Sequence, residues 1–237
     1  MKLPDKIFGI DTKKAYEDFL ERSKKTPDKE DEQQPQNQPL EGIDEGDYIF
    51  MPKRNLYVAK ERSHLGEAWY DAHKALHQEK ARMLTLREFA DFLALLKTGN
   101  SEFRRIYNDI TEVRNPWRAE WLDADFKMVN DKLHINYNHR TIDGILKPQN
   151  SDPITDYLTS NKTPGISLDD WLSNPTSYGL PKADVKDGSM YYWAPMKNNN
   201  SVARFDASSS RSDLGCYRDP RVSSSSRGVR VARAKKI

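Results

Sequence analysis

Histidines, carboxylates and one thiol are the groups in this chain whose types and spacing could do chemistry. His73 and His77 stand four apart on a predicted helix, so their rings share a face, and with His64 they offer donors for a metal ion. No further ligand accompanies them, and the flanking Lys74 and Glu79 favour a solvated face, so no metal is assigned. His134 and His139 flank a predicted strand and are expected at the surface. Among paired carboxylates, Asp169 and Asp170 suit the first turn of a helix, where the dipole favours negative charge. Asp123 and Asp125 retain the chemistry of calcium ligands. Cys216 is the only cysteine, which excludes an internal disulfide framework and a Cys-paired metal ribbon. Lying in an alternating segment between Leu214 and Arg218, it is expected as a buried, inert thiol. There is no Gly-rich phosphate loop and no nucleophile elbow.

The C-terminal fifth interleaves two kinds of residue. Val202, Ala203, Phe205, Ala207, Leu214, Cys216, Val229 and Val231 are apolar and regularly placed, whereas Asp206, Ser208, Ser210, Ser212, Gly215, Tyr217, Arg221 and Ser224 are small, polar or aromatic. That is the composition of a binding surface mounted on a rigid scaffold. From Asn198 to Arg227 the chain also contains no Lys, Glu, Gln, Met or Trp, although these types are common elsewhere in it. None of the five is reachable from an Asn codon ending in a pyrimidine by changes at its first two bases, whereas Ser, Asp, Gly, Tyr, Arg, Val and Cys all are. A Ser-rich, Arg-containing tail is the plainer description of the same residues.

The pattern Ser201-Val202-Ala203-Arg204-Phe205-x-Ala207, then Leu214-x-Cys216-x-Arg218-Asp219-Pro220, then Gly228-Val229-Arg230 resembles the variable region of proteins diversified by diversity-generating retroelements. The resemblance covers about Tyr191 to Arg233. It implies a C-type lectin fold of the branch shared with formylglycine-generating enzymes. In that family a reverse transcriptase misreads template adenines, so Asn codons become scattered substitutions on a ligand-binding face. The Glu120 to Ala124 segment and the hairpin after it resemble the N-terminal half of phage- and archaea-associated relatives. By this resemblance the diversified, ligand-contacting residues are Tyr192, Asn198, Asn199, Asn200, Asp206, Ser208, Ser210, Ser212, Gly215, Tyr217, Arg221, Val222, Ser224 and Arg227. Arg204, Arg218 and Arg230 match fixed positions and are expected to brace loops through backbone carbonyls. Trp193 is expected in the core, with Tyr192 pointing the other way by strand alternation.

Formylglycine-generating enzymes oxidise a substrate Cys with a pair of copper-holding cysteines. Cys216 has no partner, so the chain departs from that pattern, and fold kinship does not carry function. The expectation is a binding protein, not an enzyme, with no cofactor, whose target is a protein or surface ligand. A copper oxidase of that type and a nucleic-acid binder using Arg227 to Lys236 as a basic arm are the alternatives. Regular alternation at Val229 and Val231 favours a final strand over such an arm.

The rest of the composition bounds what must hold this surface. In 237 residues, 36% hydrophobic, there is room for a substantial but economical core. A net charge of +2 from near-equal acids and bases gives no strong field for nucleic acid or an anionic membrane. No apolar segment follows Met1-Lys2-Leu3 and no apolar run is long enough to cross a bilayer, so cytoplasmic synthesis without a signal peptide or membrane insertion is expected. Display on a virion or cell would then need a partner, attached through the N-terminal arm.

An α+β domain of short antiparallel strands, a few helices and long irregular loops is expected over residues 47–237. Residues 1–46 form an arm: a short amphipathic helix over Thr12 to Lys25, then a Pro, Gln and acid-rich linker over Thr26 to Glu41 that buries too little apolar surface to order itself. Tyr48 to Met51 and Leu56 to Ala59 read as strands. Helices follow through Ala68 to Gln78, from the Thr85/Glu88 capping box to Gly99, and through Phe103 to Ile110. Ala124 to Val129 and Leu133 to Tyr137 alternate about Asn130-Asp131, a hairpin signal. Lys147 to Gly188 is expected to be irregular apart from a short helix at Ser167 to Leu172.

Overall fold

The computed structural model describes residues 6–7, 10–11, 45–197 and 199–235. The chain divides into two units, Met1–Pro39 and Leu40–Ile237. In the first, Lys6–Ile7 pairs antiparallel with Ile10–Asp11. The helix expected over Thr12 to Lys25 and the linker after it lie outside the described residues.

The second unit is α+β. Its first hairpin joins β1 (Tyr48–Met51) to β2 (Leu56–Ser63) through a turn that Asn55 closes in the left-handed region, φ 49°. Helix α1 (Trp69–Gln78) leads to the short β3 (Arg82–Met83) and then α2 (Leu86–Thr98). The capping box forms as the spacing predicts: Glu88 N donates to Thr85 Oγ1 at 3.2 Å and Thr85 N to Glu88 Oε2 at 3.0 Å. Asn100, whose Oδ1 accepts from Phe103 N, caps α3 (Ser101–Thr111). Strands β4 (Arg118–Val129) and β5 (Lys132–Tyr137) turn at Asn130 and Asp131, both at positive φ, the geometry a two-residue hairpin needs.

The stretch from Lys147 to Gly188 is more regular than expected. After the small hairpin β6 (Arg140–Ile142) and β7 (Ile145–Lys147), β8 (Asn150–Pro153) adds to β5, and β9 (Lys162–Ile166) pairs with β10 (Met190–Trp193). Helix α4 (Leu168–Ser173) lies between them, capped by Ser167. The chain ends in β11 (Ser201–Ala207), β12 (Ser212–Arg218) and β13 (Arg227–Ala234). The basic C-terminal segment is therefore a strand, in which Arg227 and Arg230 are buried. No helix among the described residues is long and apolar enough to cross a membrane.

Eleven strands share one sheet, whose main path runs β9-β10-β12-β11-β4-β13-β2-β1. Strand alternation divides its side chains between two cores. Phe205, Leu214, Cys216, Phe126 and Ala232 pack with α2, α3 and α4, where Phe89 and Trp171 lie against Phe205 at ring distances of 5.3 and 6.4 Å. On the other side Trp121, Val202, Val229 and Val231 pack with Trp69, Ala72 and Leu76 of α1.

A buried ion cluster ties the sheet together at its centre. Strands β4 and β13 run parallel with only Arg227↔Ala119 and Gly228↔Glu120 in register, a short junction for so central a position. Gly228 allows it, since a Cβ there would lie 2.6 Å from Ser63 O. Beside it Glu120 accepts from Arg230 Nη2 at 2.7 Å and Arg118 Nη2 at 2.6 Å, while Arg230 also donates to Ala59 O and Lys60 O of β2. Arg230 thus braces backbone carbonyls as expected. Burial alone would raise the Glu120 carboxyl, but the guanidinium groups of Arg230 and Arg118 outweigh it and hold it down at about 2.

Replacing Glu120 by Gln keeps the volume, leaves the buried Arg230 without counter-charge and leaves Arg118 only Asp109, so urea unfolding at neutral pH should show a loss of about 3–5 kcal/mol. The carboxyl titrates lower folded than unfolded, so its contribution is full above the unfolded value of about 4.3 and fades as pH falls toward about 2. The gap between wild type and E120Q should close in acid.

Candidate functional site

On the α1 side of the sheet, beyond the part that α1 covers, β4, β11, β12 and the loop before β13 enclose a cleft of about 590 Å³. Its aromatic wall is Trp117 and Trp121. The guanidinium of Arg227 lies 4.5 Å from the centre of the Trp121 ring, and that of Arg204 lies 5.6 and 5.7 Å from the Trp117 and Trp121 rings. Along the floor, Arg204 and Arg218 both donate to Asp206 Oδ2, and Arg218 also reaches Asp213 Oδ1 at 3.1 Å. Arg211, 3.7 Å from Asp213, stacks on Tyr191 at 4.9 Å, and Arg218 lies over Tyr217 at 4.4 Å.

Four guanidinium groups thus line the cleft with the carboxylates of Asp206, Asp213 and Asp219, and Asp219 is engaged by a bidentate bond from Arg221. The Nε atoms of Arg204, Arg211, Arg218 and Arg227 and Asp206 Oδ1 are buried without a hydrogen-bond partner in the chain. Guanidinium groups beside indole faces suit a ligand carrying a carboxylate or another anionic group next to apolar surface. Burial and Arg204 push Arg227 down to about 10, which leaves it charged at neutral pH. Burial and the Asp206 charge push the Asp213 carboxyl up to about 6, against the pull of Arg218.

Of the sequence-predicted residues, Asp206, Ser208, Tyr217, Val222 and Arg227 line this cleft. Ser208 sits in the β11–β12 turn, with its Oγ donating to Arg211 O at 3.1 Å. Ser210 in that turn, Ser212 at the start of β12, and Arg221 and Ser224 in the loop before β13 are exposed or half-buried outside it. Asn199, just before β11, is exposed and tied to β4, its Oδ1 accepting from Met128 N at 2.5 Å; Asn200 is half-buried beside it. Asn198 lies outside the described residues.

Two of the fourteen are placed otherwise. Tyr192 is wholly buried and donates to Leu158 O at 3.0 Å, while Trp193 is half-exposed against Tyr217. The expected facing of these two is inverted because β10 pairs parallel with β12 in a register that sets Tyr192 beside Leu214, on the core side. Gly215 is buried, and a side chain there would meet Arg218 Nε at 2.8 Å. Arg204 and Arg218 bond carboxylates instead of the expected carbonyls. Trp117, just before β4, and Asp213, on β12, carried no local signal; only the fold brings them to the cleft, beside Arg211.

The histidine expectations also change. His73 and His139 are both buried, against Asp123, whereas His77 and His134 stay nearer the surface. Burial pushes the His73 imidazole down to about 4 despite Asp123. Cys216 is buried as expected, and burial raises its thiol far above the ordinary range.

Asp213 tests the electrostatics of the floor. Its folded pKa is raised, so its contribution is full below the unfolded value of about 3.9 and is lost as pH rises through about 6. D213N keeps the oxygen that Arg218 uses and cannot ionise. Melting temperatures measured from pH 4 to 8 should show wild type falling relative to D213N across that interval.

Comparison with protein-family models, with curated proteins and with solved structures returned no match to this chain.

Proposed function

We propose that this protein recognises a target through a C-terminal face diversified by a retroelement, on a fixed scaffold of the C-type lectin kind. One observation supports this reading: along β11 and β12 the apolar pattern residues Phe205, Leu214 and Cys216 enter the α2 core, while five residues of the expected diversified set, Asp206, Ser208, Tyr217, Val222 and Arg227, meet at one cleft around the fixed Arg204 and Arg218. Short strands, four helices and long connecting loops among the described residues agree with such a scaffold. The gap of five residue types over Asn198 to Arg227 spans β11, β12 and the loop before β13.

Recognition in this reading involves no chemistry. Ser side chains adapt their hydrogen bonds to the target, Tyr217 supplies low-entropy contact area, and the arginine-lined cleft receives an acidic group of a protein or surface ligand. The N-terminal arm attaches the protein to a partner that displays it. Neither nucleic acid nor a bilayer is its target.

Sequencing the DNA downstream of the coding region tests the reading directly. A near-copy of the segment for Tyr191 to Arg233, differing only opposite template adenines and accompanied by a reverse transcriptase gene, is expected; without either, the face is an ordinary fixed site.

The same separation has a thermodynamic consequence. F205A should cost about 3–5 kcal/mol in chemical denaturation, as for other buried Phe truncations. Changes at the exposed Ser210 and Val222 should stay within about 0.5 kcal/mol. Equal sensitivity of the two groups would count against a scaffold that tolerates diversification.

A further inference from the structure

We propose that His73, Asp123 and His139 form a binding site for one divalent transition-metal ion of the zinc class. The three residues come from α1, from β4 and from the turn after β5, and one ligand atom from each lies within 4.8 Å of the others. They are 3%, 0% and 7% exposed. Two imidazoles and a carboxylate are the donor set of open zinc and related sites.

The pairing within the chain leaves the cluster incomplete. His139 Nδ1 donates to Asp123 Oδ1 at 2.5 Å, and His139 N donates to Asp123 Oδ2 at 3.1 Å. His73 Nε2 points at the same Oδ1 from 3.7 Å, too far for a hydrogen bond, and is buried without any partner. A stranded imidazole nitrogen is a cost that a hydrogen-bonded Asp–His pair alone does not explain. Among the described residues, the ion-pair partners of Asp123 are these two rings, and no Lys or Arg reaches this buried carboxylate at ion-pair distance. A divalent ion supplies both missing elements.

The surroundings hold the donors in place. Trp69 Nε1 donates to Leu122 O at 2.9 Å, and its ring sits edge-on to His73 and His139 at 4.3 and 5.0 Å. Asp123 N donates to Leu84 O at 2.8 Å. Donors mounted on a helix and a central strand are preorganised. With bonds of about 2.0–2.2 Å to N and O, tetrahedral ligands lie about 3.3 Å apart, near the His73–Asp123 spacing already present. The His139 Nδ1 to Asp123 Oδ1 distance must open by somewhat less than 1 Å as the ion takes the place of the bridging proton, which moves to His139 Nε2; net protonation is unchanged. His73 and His139 also line a cleft of about 980 Å³ that opens to solvent, giving the ion an entry path and a position for water as the fourth ligand.

The test uses full-length protein without a histidine tag, dialysed against EDTA and then titrated with Zn²⁺ or Co²⁺. One equivalent of bound Zn²⁺, a melting temperature that rises with free Zn²⁺, and visible Co²⁺ absorption of a low-symmetry N/O site are expected. His73→Gln and His139→Gln should each weaken binding by about 100-fold or more, at or beyond the upper end of what losing an outer partner costs. His77→Gln, on the rim of the same cleft, and His134→Gln should leave it unchanged. Wild-type protein that takes up no stoichiometric metal overturns the proposal, as does H73Q binding like wild type. Should the variants fail to fold, the wild-type Co²⁺ spectrum and metal-dependent melting decide alone.

Discussion

The two-residue parallel junction between β4 and β13 is the constraint on which the rest depends. It joins the hairpin β1–β2 to the strands that carry the cleft, and backbone pairing alone gives it little cohesion. Glu120 provides the remainder by bonding Arg118 on its own strand and Arg230 on the next, while Arg230 and Arg62 reach across to carbonyls of β2, β4 and the loop before β13. Such a cluster is expensive to bury and is tolerable only when every member is paired. Its contribution is specificity of register: a shift of one residue along β13 would take Arg230 off the core face and strand Glu120.

Once that register is set, the two faces of the sheet acquire different tasks. The α2 side becomes a close-packed core around Phe205, Phe89 and Trp171, where changes of volume are felt. The other side is only partly covered by α1, so the remainder of β4, β11 and β12 is left open with Trp121, Arg204 and Asp206 on it. The cleft and the His73–Asp123–His139 cluster both rise from this face along β4, at Trp121 and Asp123. A single strand therefore positions two polar sites, and its own burial keeps both rigid.

What was legible in the sequence follows the range of the interaction that decides it. The capping box of Thr85 and Glu88 and the Asn130-Asp131 turn are settled by neighbours within three residues, and both formed as read. The strands β8 and β9 were hidden because each is short, contains a Pro and pairs at the margin of the sheet, so neither shows a run of alternating apolar residues. Alternation gave the right period for Tyr191 to Trp193 but not its phase, which comes from pairing with Leu214 more than twenty residues away. His73, Asp123 and His139 meet only through the fold, and flanking charge misled because Lys74 lies on the opposite side of α1 from the sheet, exposed where His73 is not.

The cleft combines two requirements that ordinarily oppose each other, a fixed shape and replaceable contacts. Its floor is an electrostatic lattice in which Arg204 and Arg218 share Asp206, and Arg218 also holds Asp213. Asp206, expected among the diversified residues, is the carboxylate both arginines share, so removing it leaves Arg204 buried without one, and the floor resists that change in the way a core does. Ser208, Tyr217 and Val222 stand around it on turns and a strand end, where a side chain can change without altering a backbone hydrogen bond. Tyr217 shows the division within one pair of residues, since its ring is the cover that Arg218 lies on while its edge meets Trp193 at the surface. A change of charge is therefore felt by the fold at the floor, whereas at the rim a substitution leaves the buried ion pairs untouched.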